Sequence, residues 1–415
     1  MAKVPSLPLG RVLCKKSARD LLGAARSFAV GPDAVVPGRE GARRLVTAPE
    51  RAADRPIFVV GVPRSGTTLL RYMLCSHPRI YIPPESNFIP RFFQRRPSEE
   101  MSRAETRRIL ERIAAYRPFW RDWQDEPLNP EAFLEALPSL TPSALLAALY
   151  GRYSQQFGAV RWGDKSPMYV NYISLMIEMF PSGQIVHIVR DGRDVMASSL
   201  STYRGPRFFY MDPYFAARRW RDGVERAMTE GRSLGPEQYH QISYEALTAE
   251  PERRLRELCD FLREEFHPAM TAPQREARRH HHSAGIHKRV RAPINTSSSG
   301  RWRRDLSISE QRLMQRKASD LLVTLGYELE ELGSPGAFER LRNALLVAKY
   351  WMVAAGRTVL KTLGLFHPTR VLETVNRRPS HLAPGQTKES GSSPLPSGVA
   401  DPTVESRDGR TREPA

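Results

Sequence analysis

Cysteine is scarce in this chain of 415 residues: three thiols, Cys14, Cys75 and Cys259, lie too far apart to suggest a disulfide framework. Such scarcity suits a reducing compartment, and a cytoplasmic location is the expectation. No run of about 20 uninterrupted apolar residues occurs, so no transmembrane helix is expected. The first 54 residues lack the long apolar core of a secretory signal. Acidic residues are outnumbered, 45 against 63 Lys and Arg, for a formal net charge of +18. That balance favours acidic ligands or anionic surfaces. Zinc-finger spacing, an RNA-recognition signature and aromatic–basic repeats are all missing, which removes nucleic acid from the expected partners. His280, His281, His282 and His287 come without matched Cys or carboxylate partners, and consecutive side chains diverge, so no metal site is expected.

The stretch that organises the chain is Arg55 to Leu74, RPIFVVGVPRSGTTLLRYML. An apolar β-branched run, Ile57 to Val60, enters a loop bounded by Gly61 and Gly66, and helix-forming sequence follows from Leu69. Strand, Gly-bounded loop and helix N-terminus in that order make an anion cradle. The first-turn N–H groups have no intrahelical acceptor, and the helix dipole favours negative charge there. Thr67 and Thr68 add hydroxyl donors. The glycine spacing is that of a P-loop, but Thr67 stands where the P-loop Lys would be, and the cation sits inside the loop at Arg64. No acidic strand end suited to Mg²⁺ is evident. The pattern points to a phosphate-bearing ligand bound without a metal.

Further along, Ile80 to Ile82 reads as a short strand running into Pro83-Pro84-Glu85, where two prolines put a carboxylate on a rigid turn. Residues 95–160 read as a helical insertion on the substrate side. Arg161 to Val170 reads as a Gly- and Pro-punctuated loop, Gln184 to Val189 as a buried strand, and Val195 to Leu200 as the helix after it. Gln241 to Glu245 reads as another strand, Pro251 to Leu262 and residues 308–326 as helices, and His280 to Arg304 as a long basic loop. Strands separated by helices mean a parallel sheet with crossovers, and ligands bind beyond the carboxyl ends of such strands. The fold class expected is therefore α/β, a P-loop-like parallel sheet flanked by helices, with a helical insertion. Around it lie a basic N-terminal arm (1–54), a C-terminal helical extension (331–375) and a disordered tail (376–415). In the extension, residues 338–366 form a helix with one apolar face and the cations Lys349, Arg357 and Lys361. Such a helix packs on the domain or lies on an anionic membrane.

PRSGTTLL after a buried strand resembles the 5′-phosphosulfate loop of sulfotransferases that use 3′-phosphoadenosine-5′-phosphosulfate (PAPS), and the resemblance extends over residues 55–330. It implies that Arg64, Ser65, Gly66, Thr67 and Thr68 hold the 5′ end of the donor. Arg190 and Ser198, eight residues apart in IVRDGRDVMAS, are similar to the family's 3′-phosphate motif. Glu85 in ESNFIP resembles the catalytic base of the tyrosylprotein branch, and Lys165 in GDKSP its sulfate-facing Lys. Asp164 is read as orienting that Lys. Tyr244 and Arg301 match nucleotide-loop positions, with Ser283 and Lys288 as neighbours. Arg64 acts as a fixed charge, since an Arg does not readily give up its proton. His77 is the rival base. The activity implied is sulfuryl transfer from PAPS to an acceptor hydroxyl of a carbohydrate, lipid, small metabolite or protein tyrosine, releasing 3′,5′-ADP (PAP). The alternatives are a P-loop kinase or NTPase, and a non-catalytic PAP-binding scaffold.

Overall fold

The computed structural model describes residues 55–93, 99–115, 128–203, 208, 210–279 and 288–362. The N-terminal arm, the tail, His280, His281, His282, Ser283 and His287 fall outside the described residues. Five parallel strands form one sheet: β1 (Ile57–Val60), β2 (Ile80–Tyr81), β3 (Arg161–Lys165), β4 (Gln184–Val189) and β5 (Tyr239–Ser243). Their spatial order is β2-β3-β1-β4-β5, so β1 is central and the chain leaves it in both directions. Every residue of β1 and β4 is buried, which is why IFVV and the ends of QIVHIV read as continuous apolar runs.

Helices supply the crossovers. Helix α1 (Thr67–Cys75) joins β1 to β2. Between β2 and β3 come α2 (Phe88–Phe92), then α3 (Arg103–Ala114), α4 (Pro130–Glu135) and α5 (Pro142–Gln155), the last three lying in the 95–160 segment expected to be a helical insertion. Helix α6 (Ile173–Met179) leads to β4, and α7 (Gly192–Thr202) and α8 (Pro213–Leu234) lead to β5. After the sheet follow α9 (Tyr244–Ala249), α10 (Pro251–Leu262), α11 (Gln274–Arg279), α12 (Trp302–Asp305), α13 (Ile308–Thr324) and α14 (Ala337–Thr362). A second apolar core, with Val62, Val189, Trp220, Trp302 and Met314, lies apart from the main one and draws on the two loops that leave β1 and β4.

Strand β3 corrects the loop expected at 161–170. Its sequence, RWGDK, is polar and punctuated, yet all five residues are buried. Each polar side chain has its own partner. Arg161 donates to the carbonyls of Arg55 and Leu262 and to Glu264. Asp164 and Lys165 are paired as described below. Gly163 lets β3 lie against β1, because a Cβ there would stand 2.4 Å from the Ile57 carbonyl oxygen. Tyr244, expected at a strand end, is instead the first residue of α9.

His187 lies in the middle of β4, fully buried, with Nδ1 2.7 Å from the Tyr239 hydroxyl and Nε2 without a partner. Burial pushes its pKa from 6.5 down to about 3. Burial also lowers His77 and His240. Between those values the unfolded chain binds a proton that the folded chain refuses, so stability falls as pH drops from 6.5 towards 3, by about 1.4 kcal/mol per pH unit for this residue alone. Denaturant midpoints at about pH 7 and about pH 5.5 should therefore differ. The difference should shrink in His187→Asn, and an unchanged pH slope in that variant would contradict the assignment.

Candidate functional site

Three loops meet at the carboxyl ends of β1, β4 and β5. In the first, Ser65 N–H closes a turn on the Val62 carbonyl, and the backbone takes positive φ at Arg64 (81°) and Gly66 (101°). Glycine is required at both ends of this loop. A Cβ on Gly61 would lie 2.6 Å from the Ile188 carbonyl oxygen, and one on Gly66 would lie 2.4 Å from the Tyr244 ring. Gly66 is also the N-cap of α1 and offers no side-chain acceptor, so the first-turn N–H groups stay available to a ligand. Ser65 Oγ is buried beside them with no hydrogen-bond partner.

The second loop begins at Arg190, just past β4. Asp191 caps α7 by accepting from Arg193 N–H at 2.8 Å and also grips the Arg193 guanidinium. Arg190 donates to the carbonyls of Arg64 and Ser298, and its guanidinium stacks 4.6 Å from the Tyr244 ring centre. Its Nε, buried, has no partner. Arg64 Nε in turn donates to Ser198 Oγ at 3.0 Å, joining two motifs 134 residues apart.

The third loop, residues 295–301, is drawn in by Asp194. Its carboxylate accepts from the N–H groups of Gly300 (2.8 Å) and Trp302 (2.9 Å). Burial pushes this carboxyl up, while Arg190 and the two N–H donors pull it back. The loop is braced by Arg289, which donates to Ser298 Oγ at 2.9 Å. Desolvation first, with Arg190 and Arg289 adding to it, holds the Arg64 guanidinium below its ordinary pKa. Arg289 is lowered in the same way, by burial and then by Arg301 and Arg190. Crowded, partly dehydrated cations beside unpartnered donors make a site for a polyanion. Arg301 belongs to the cluster electrostatically, but its guanidinium is paired with Asp305.

A carboxylate–ammonium pair occupies the neighbouring strand ends. Glu85 follows β2, Lys165 ends β3, and Lys165 Nζ donates to Glu85 Oε1 at 2.6 Å. The Lys165 side chain is 4% exposed and that of Glu85 40%, so the carboxylate forms the open end of the pair. Burial lowers the Lys165 ammonium, and the charge of Glu85 opposes this. The charge of Glu85 also reaches Arg64.

Asp164 does not orient Lys165 as expected, because neighbouring residues of a strand point to opposite faces. Its Oδ2 accepts from Tyr150 (2.6 Å), Tyr169 (2.8 Å) and Ser86 (2.9 Å). Burial raises this carboxyl, and the three hydroxyls counter the rise. Since Ser86 follows Glu85, the network fastens the turn that carries Glu85. His77 is not a rival base: it sits between α1 and β2, at the amino edge of the sheet, with Nε2 2.9 Å from the Glu265 carbonyl. Sequence reasoning missed Arg289, Asp194 and the tyrosines around Asp164.

With this geometry in view, comparison with known proteins decides the family. The sulfotransferase family model matches residues 56–268, just over half of the chain. The chain belongs to the sulfotransferase family. It is 31% identical over 257 residues to an uncharacterized protein of Aquifex aeolicus, covering 61% of this chain and 31% of that protein. It is 26% identical over 287 residues to the protein-tyrosine sulfotransferase of Drosophila melanogaster, covering 66% of this chain and 51% of that one. The chain thus spans about a third of the first relative and about half of the second. Among solved structures, the sulfotransferase domain of a Synechococcus olefin synthase aligns with a TM-score of 0.47 at 24% identity, covering 70% of this chain and all of that one. In this member of the family the third loop, the cover loop of residues 295–301, is held by the Asp194 carboxylate together with Arg190 and Arg289. Asp194→Ala should speed amide hydrogen exchange across residues 296–305 and leave β1 and β3 protected. Unchanged exchange in the loop would mean that other contacts hold it.

Proposed function

We propose that this sulfotransferase moves a sulfuryl group from PAPS to an acceptor hydroxyl and releases PAP. The observation that carries the reading is the meeting of Arg64, Arg190 and Ser198 around a cradle whose Ser65 Oγ and Arg190 Nε lack partners, with Glu85 and Lys165 at its edge. A donor with a phosphate at each end of its ribose fits that arrangement. The first-turn N–H groups of α1, Ser65, Thr67 and Thr68 take the 5′ end, and Arg190 with Ser198 takes the 3′-phosphate. Tyr244 and the loop around Arg301 lie against the nucleotide. PAPS supplies, when bound, a sulfuryl group whose bond to the 5′-phosphate oxygen breaks as the acceptor oxygen bonds to sulfur.

The chain's own residues handle the charge and the proton. Glu85, the open end of its pair, accepts the proton of the attacking hydroxyl. Lys165 holds that carboxylate in place and puts a fixed positive charge beside the sulfonate oxygens. Arg64 stabilises the negative charge that grows on the leaving oxygen. No Lys follows Gly66 to clasp a triphosphate, which sets the site apart from kinases and NTPases. The acceptor class is a hydroxyl, with carbohydrate, lipid, metabolite and tyrosine all compatible, and the scarcity of cysteine supports a cytoplasmic setting for the reaction.

Calorimetric titration of PAP and turnover of sulfur-labelled PAPS test this together. Arg190→Ala should weaken PAP binding by about 10–100-fold, the loss of charge-assisted hydrogen bonds. Glu85→Gln should leave PAP affinity within about twofold yet lower transfer by roughly 10²–10⁴. Failure of the unaltered chain to bind PAP would overturn the donor assignment. Full transfer by Glu85→Gln would remove Glu85 as the base.

A further inference from the structure

Helix α14 presents two unlike faces. The inner one is fastened to the domain by polar contacts and rings. Glu339 pairs with Arg312, Arg342 Nη2 donates to Ser309 Oγ at 2.9 Å, and Lys349 Nζ lies 3.0 Å from Asp212 Oδ2. Tyr350 meets Tyr214 edge-on at 5.4 Å, and Leu346 and Val347 join the second core. These contacts fix the rotation of the helix about its axis, so its other face is held outward.

That outer face is apolar. Phe338, Leu341, Leu345, Trp351, Met352 and Val359 are each more than half exposed, Met352 at 72% and Phe338 at 81%. Ala344, Ala348 and Ala355 fill the gaps between them and are exposed as well. The stripe spans 21 residue steps, ~32 Å at the helical rise. An apolar surface of this length on a helix that the domain already holds calls for an occupant.

Charge selects the occupant. The one acidic residue of α14, Glu339, is turned inward to Arg312. Arg340, an exposed cation, borders the stripe, while Arg357 turns to the inner side with its guanidinium 4.9 Å from the Tyr210 ring centre. A second copy packed along the stripe would offer no acidic flanking residue to meet Arg340, whereas paired helices choose each other through complementary flanking charges. An anionic lipid surface meets both demands at once: it takes the apolar stripe into its acyl boundary and offers phosphates to Arg340. Trp351 suits that boundary, with an apolar body and one N–H. The chain's net charge of +18 adds long-range attraction.

We propose that α14 is an in-plane docking helix by which this protein sits on anionic phospholipid membranes. The proposal does not depend on the sulfotransferase reading, because PAP binding is measured on the same variants. The full-length chain is sedimented with vesicles of phosphatidylcholine alone and of phosphatidylcholine with phosphatidylserine. Binding is expected only to the vesicles containing phosphatidylserine, and to weaken as salt is raised. The double substitution Leu345→Glu and Met352→Glu changes two exposed side chains and should cut that binding at least about tenfold while leaving PAP affinity unchanged. Arg340→Ala should weaken it less. The proposal fails if the unaltered chain does not sediment with phosphatidylserine vesicles, or if the Leu345/Met352 variant binds them as well as before. It also fails if sedimentation velocity shows a dimer that this variant dissolves, which would make the stripe a contact between copies.

Discussion

Arg190 is held by carbonyl oxygens, and a carbonyl carries no net charge to cancel its own. The nearest carboxylate, Asp194, stands 3.8 Å away and spends its oxygens on two backbone N–H groups. Arg64 is treated alike: a serine hydroxyl accepts from it, while Arg190 and Arg289 crowd it. Had each Arg been given its own carboxylate, the loops would be at least as well fixed, but the site would be neutral and indifferent to anions. Geometry supplied by neutral acceptors leaves the positive charge for a ligand, and the pockets of β1, β4 and the cover loop are arranged around that choice.

At the other strand ends the opposite choice is made. Lys165 is buried and does meet a carboxylate, Glu85, at 2.6 Å. A buried ammonium with no partner would lose its proton, so the pair keeps both charges in place. Alternation along β3 then does two jobs with adjacent residues: Lys165 faces the carboxylate, and Asp164, on the far face, ties down the turn that delivers it through Ser86. In the proposed function, donor binding and proton handling therefore rest on different strands and can be altered separately.

Much of this was legible in the sequence. β1, its loop and α1 announce themselves because a buried parallel strand is a continuous apolar run and the loop needs its glycines. β4 and α10 were legible for the same reason of periodicity. Strand β3 was not, since RWGDK has neither an apolar run nor alternation; it is buried only because Arg161, Asp164 and Lys165 each find a partner far away in sequence. Arg289 was hidden within a basic run, where nothing local tells a site cation from a solvated one. The pairing of Glu85 with Lys165 is a contact across 80 residues, and only resemblance to a family drew both residues out beforehand. Asp164 was noticed but given the wrong task, because the segment was read as loop and a loop has no alternating faces.

The order of strands in the sheet sets the order in which the protein can be completed during synthesis. β1 and β2 are consecutive in the chain but never touch; β3 lies between them and is the strand on which β2 is paired. As the polypeptide leaves the ribosome, β2 must wait some eighty residues for the strand that receives it. The cover loop waits longer, since Asp194 cannot fasten it until Gly300 and Trp302 have been made. Contacts this distant in sequence close slowly. The residues of the anion cradle are therefore made early, and they become an enclosed site only once the chain has reached Trp302.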